Sequence, residues 1–106
     1  MPDDDEVGRS RGGGDGIPLA EFEWDEEKNR KNVEKHGINF TQAVRVFSVP
    51  AAVSFQSSHK FGEQRYLMVG ELDGVLITVV YTLRGDKIRI ISTRRARRSE
   101  RKRYGQ

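Results

Sequence analysis

Asp73-Gly74 constrains this chain more than any other feature. An Asp-Gly pair between two apolar runs favours positive φ at both positions, and the two-residue turn that results folds its flanks into an antiparallel hairpin. Here the flanks are Arg65–Leu72 and Val75–Thr82. Arg84-Gly85-Asp86 then turns the chain into Lys87–Ser92, so three antiparallel strands in a meander are expected, with Ala51–Phe55 as a further short candidate. The run from Val75 to Val80 is apolar on both faces, as a central strand covered on each side would be. In the last strand Lys87 and Arg89 alternate with Ile88 and Ile90, which makes one of its faces basic.

Helices are expected on either side of this meander. Asp25 followed by Glu26-Glu27 reads as an N-cap with acids in the first turn, and His36-Gly37 supplies a cation in the last turn and a left-handed terminating residue. These signals bracket a helix over residues 26–36. Its apolar face is thin, essentially Trp24 just before it and Val33 within it, so it should lie on the surface with one side pinned. Asn39 with Gln42 forms a variant capping box. Phe40, Ala43, Val44 and Phe47 then recur at helical spacing until Ser48-Val49-Pro50 ends the pattern. After the sheet, Ser92 or Thr93 is expected to cap a third, almost wholly polar helix from Arg94 to Tyr104, closed by Gly105.

Composition narrows the function. With 106 residues and a hydrophobic fraction of 35%, the chain can supply one modest core. Residues 1–20, rich in glycine and acids, lack the apolar content to offset their ordering entropy and are expected to be a disordered tail, leaving 21–106 as the folded domain. The absence of cysteine excludes a disulfide framework, and with two histidines a metal centre is not expected. No apolar run suits a membrane span, no cofactor motif is present, and the cytoplasm is the default location. The formal net charge of +3 hides strong segregation. Ten Lys/Arg stand against Asp86 and Glu100 between Arg84 and Arg103, a local +8, whereas the first twenty residues carry five acids against Arg9 and Arg11. Such a basic segment is suited to a polyanion, and RNA fits it best.

The candidate site gathers Arg65, Lys87, Arg89, Arg94 and Arg95. If Arg65 and Arg89 share a face, their planar forks can hold a phosphate, and the start of the third helix would add backbone donors. Tyr81, on the strand between, could stack on a base or bond a phosphate oxygen; it could equally be a half-buried strand aromatic. Glu63 is the nearest carboxylate candidate for a general base, with His59 upstream. The bland readings are a cross-strand ion pair for Arg65 and a helix-end role for His36. Arg97, Arg98, Arg101, Lys102 and Arg103 read as a solvated face that draws in RNA or receives a protein partner.

Five stretches in fixed order resemble the BrnT family: Phe22-Glu23-Trp24-Asp25; Lys35 to Phe40; Ala43 to Phe47 before Pro50; Gly62 to Tyr66; and Ile88 to Ala96 followed by Glu100 and Tyr104. The resemblance implies an α+β, RelE-like fold in which two N-terminal helices pack on a small antiparallel sheet and a C-terminal helix follows. It implies a ribonuclease toxin of a type II toxin–antitoxin pair that cleaves RNA without a metal and arrests translation and growth. The implied partner is a cognate BrnA-like antitoxin of ribbon-helix-helix type, through which alone operator DNA would be reached. On the RelE-like pattern Arg65 and Arg89 would hold the scissile phosphate, Arg94 or Arg95 would assist the leaving oxygen, and Glu63, Tyr81 or His59 would take the 2′-hydroxyl proton. A non-catalytic RNA-binding or antitoxin-docking module is the alternative.

Overall fold

The computed structural model describes residues 21–60 and 62–105, without the side chains of residues 58–60. The expectation for residues 1–20 lies outside the described residues. In chain order the elements are β1 (Phe22–Glu23), α1 (Glu26–His36), α2 (Phe40–Val46), β2 (Val53–Lys60), β3 (Glu63–Leu72), β4 (Val75–Arg84), β5 (Lys87–Arg95) and α3 (Arg98–Tyr104). The sheet runs β1-β5-β4-β3-β2. Strands β2 to β5 form the meander, and β1 pairs parallel to the β5 edge, Phe22 with Ile88 and Glu23 with Arg89. The fold is thus α+β with a five-stranded mixed sheet, where a purely antiparallel one was expected. β1 escapes a sequence reading because two residues carry no periodicity of their own.

The turn that dictates this order has the expected backbone, with φ of 53° at Asp73 and 83° at Gly74. One sheet face carries Val75, Ile77, Val79 and Tyr81 from β4, with Met68, Leu72, Ile88 and Ile90 beside them. Phe40, Ala43 and Val46 of α2 are fully buried against it. Gly70 permits this approach, since a Cβ there would lie 3.1 Å from both Val46 Cγ1 and Ala52 Cβ. Replacing Phe40 by Ala would cost about 3–5 kcal/mol.

α1 is held differently from the expectation. Val33 is exposed, and the buried residues of the helix are Asn29 and Asn32. The Phe40 amide donates to Asn29 Oδ1 at 2.8 Å. Asn32 donates to the carbonyls of Ile38 and Thr93, both at 2.9 Å, and accepts from the Thr93 amide at 3.2 Å. One side chain therefore satisfies the edge backbone of β5 just past the end of β1, which blunts that edge against other strands. Periodicity could not find this face because it is polar.

The third helix also departs from expectation. β5 continues through Arg95 and α3 begins at Arg98, because a register shift at Ile91 lets the strand run on beside β4, with Thr93 opposite Val79 and Arg95 opposite Ile77. Neither Ser92 nor Thr93 is a helix cap.

Candidate nucleic-acid interface

α3 lies against the second sheet face, the one away from α1 and α2, and covers only part of it. Glu100 of α3 is 5% exposed and sits under four donors. Arg94 binds it with both nitrogens of its fork at 2.8 and 2.9 Å, Thr78 Oγ1 donates at 2.9 Å, and the Arg97 amide donates at 2.7 Å. Burial works to raise the Glu100 pKa, but these donors outweigh it and hold the carboxyl at about 2 instead of the usual 4.5. Two more basic residues of the expected solvated stretch help seat the helix. Arg101 donates to the Ala96 carbonyl at 2.8 Å, and the Arg103 guanidinium lies 3.9 Å from the centre of the Phe55 ring. Arg98 and Lys102 are exposed. The first amide of this segment, Arg97 N–H, is spent on Glu100, so it is no free donor for an anion.

The uncovered part of the face carries an arginine row. Tyr66 faces Tyr81 and Leu67 faces Val80 across β3 and β4, so Arg65 shares the side of Leu67, Val80 and Thr82. Thr82 pairs with Arg89, whose neighbour on β1 is Glu23. Arg65 and Arg89 thus flank Thr82 on one face, with two strand spacings, about 9.5 Å, between their backbones. Arg65 Nε is buried without a hydrogen-bond partner among the described residues. Arg89 meets Glu23 at 3.2 Å, both side chains near 30% exposed. Lys87 faces Arg84 at the rim of the same face, where Arg84 meets Glu63 at 3.2 Å.

The other candidates separate from this row. Successive strand residues point to opposite sides, so Arg95 leaves the face that Arg94 shares and lines a hollow with His36, Gln42 and Asp73 on the helix side. Tyr81 also points to the helix side. It is 7% exposed, stacks on Tyr66 with ring centres 5.4 Å apart, meets Phe47 edge-on, and shares a 2.7 Å hydrogen bond with Ser54. Burial pushes its phenol above the ordinary value. Glu63 shares the side of Arg65, two residues away, but is engaged by Arg84. His59 lies on β2 in register with Gln64; its side chain is outside the described residues. The pKa of His36, in the last turn of α1 before Gly37, is lowered by desolvation and by the neighbouring cations Lys35 and Arg94.

Sequence reasoning missed a second basic surface. Lys28, Lys31 and Lys35 of α1 line a groove of about 350 Å³ whose other wall is Ser92, Arg94 and Arg97. Its signal was present in the chain as lysines at helical spacing, masked by Glu26, Glu27 and Glu34 on the same helix. Arginines on an uncovered sheet face, beside a lysine-lined groove, can bind phosphate without any further element. No curated protein matches the chain. The family model described as "Ribonuclease toxin, BrnT, of type II toxin-antitoxin system" matches residues 24–100, from Trp24 just after β1 through Glu100 under the arginine fork. The chain belongs to the BrnT family of ribonuclease toxins of type II toxin–antitoxin systems.

Proposed function

We propose that this chain is an endoribonuclease that cleaves RNA by attack of the 2′-hydroxyl on the adjacent phosphate, without a metal, at the Arg65–Thr82–Arg89 row. The observation that carries the reading is Arg65 itself: its Nε is buried and unpartnered among the described residues, on the face it shares with Arg89. With Nε buried and no carboxylate on its fork among the described residues, Arg65 would meet a phosphate through its terminal nitrogens, as a charge that no partner in the chain neutralises. Two arginines stabilise the added negative charge of the pentacoordinate state, where each such donor contributes roughly 10²–10³ in rate.

The 2′-oxygen forms a bond to phosphorus, its proton passes to a base, and the bond to the 5′-oxygen breaks as that oxygen gains a proton. The products are a 2′,3′-cyclic phosphate and a 5′-hydroxyl. Glu63 is the base candidate on the arginine face, once a phosphate has drawn Arg84 from it; His59 is the alternative. Arg94 is assigned to seating α3, since its fork is filled by Glu100. The same basic face suits a cognate antitoxin, here assigned to the ribbon-helix-helix class, which would bring operator DNA with it. Arg98 and Lys102 on the outer side of α3 are its expected contacts.

A second reading, binding without cleavage, draws support from the engagement of Glu63 by Arg84 and of Tyr81 by Ser54. Incubating the purified chain with RNA in EDTA and mapping the ends separates the two. Discrete cuts ending in cyclic phosphate support the nuclease, and retention of intact RNA supports the binder. In bacteria, expression should arrest growth and Arg89→Ala should relieve the arrest.

A further inference from the structure

α1 has two chemically distinct flanks. Glu26, Glu27 and Glu34 line the hollow on one side, where Arg30 is bound by Glu27. Lys28, Lys31 and Lys35 face the other side, into the groove against β5, and no salt bridge engages any of the three among the described residues. Among the described residues no carboxylate lines that groove, and Ile91 is its one apolar side chain. Lys28 and Lys35 are two helical turns apart, about 10 Å along the axis. The groove joins the arginine row directly: β1 ends at Glu23 beside Arg89, and the next residue on that face of β5, Ser92, belongs to the groove wall.

We infer that the groove between α1 and β5 is the channel for the RNA strand flanking the phosphate held at Arg65 and Arg89, with Lys28, Lys31 and Lys35 reading its backbone charge. This rests on the ribonuclease reading above. An acidic protein segment is the other polyanion that could lie there. Protein partners anchor through buried aromatic and aliphatic side chains, and the groove offers a single isoleucine for such an anchor; a sugar-phosphate backbone needs only cations. The lysines are therefore binding residues that set affinity and leave the chemical step to the arginine row.

The test uses the full chain and a fluorescent single-stranded RNA of about 20 nucleotides, comparing wild type with Lys28→Gln/Lys31→Gln/Lys35→Gln and with Arg30→Gln from the opposite flank. The triple variant should bind about tenfold or more weakly at low salt, and its slope of log K against log salt should be shallower by about 2, the loss of three phosphate contacts on a single strand. Its KM should rise while kcat stays within about twofold, and Arg30→Gln should match wild type. Lys31→Gln alone should show about a third of the slope change, which keeps the test usable if the triple variant unfolds. Unchanged affinity and slope, or lost antitoxin binding with intact RNA binding, would overturn the inference. If wild type binds RNA but never cuts it, the ribonuclease reading fails while affinity and slope still decide on the groove.

Discussion

The second sheet face has two arginine-bearing ends that differ in one respect. Under α3, Arg94 is 15% exposed and both arms of its fork are filled by Glu100 of the same chain. At the uncovered end, Arg65 Nε has no partner among the described residues, and Arg89 holds Glu23 in a partly exposed pair worth roughly 0–1 kcal/mol. A filled fork stabilises the fold, and an unfilled one is available to an anion. Arginine density alone could not distinguish them.

The largest expected effect falls at the closed end. Glu100→Gln leaves Arg94 buried without its counter-charge, and breaking such a pair costs about 3–5 kcal/mol, to be read as a fall in the urea midpoint. The same pair predicts a pH dependence. The Glu100 pKa is depressed from 4.5 to about 2 by folding, so its stabilisation is present above about pH 4.5 and is lost as pH falls toward 2. The stability gap between wild type and Glu100→Gln should therefore close over that window, and a gap that widened in acid would contradict the arrangement.

Asn32→Ala comes next. It strands the amide and carbonyl of Thr93 at the β5 edge, for about 1–3 kcal/mol, and it reopens that edge to pairing between copies. Thermal denaturation and light scattering would show both. The smallest effect should be a gain: Glu23→Gln removes the carboxylate that competes with phosphate for Arg89, so RNA affinity should rise a few-fold at low salt with little change in melting temperature.

Much of the fold was legible where local chemistry decides it. Asp25 caps α1 by accepting from the Lys28 amide, Asn39 and Gln42 close the capping box of α2, and Asp73-Gly74 turns the hairpin. What escaped depends on distant residues. Asn29 and Asn32 look like a solvent face until the β5 edge and the α2 amides are brought to them. Arg94 and Arg95 look helical by composition, because nothing local reveals that β4 draws β5 through both of them. The candidate site was half legible. Alternation made the Lys87/Arg89 side of β5 basic, but the register across β4 is what puts Arg65 on that side. Tyr81, next to Thr82 on β4, points the other way by the same alternation, and the shift at Ile91 turns Arg95 to that side as well. The lysine flank of α1 was overlooked because α1 read as a helix of mixed charge, and only its packing sorts the signs.

The comparison between the two ends is tested most directly by assaying Arg65→Ala and Arg94→Ala side by side for urea stability and for RNA cleavage in EDTA. Arg65→Ala should unfold within about 1 kcal/mol of wild type and cleave at least about 10²-fold more slowly. Arg94→Ala should lose about 3–5 kcal/mol of stability and, in whatever fraction remains folded, still cut. A folded Arg65→Ala protein that cleaves at the wild-type rate would contradict the assignment of the site to the uncovered arginine row.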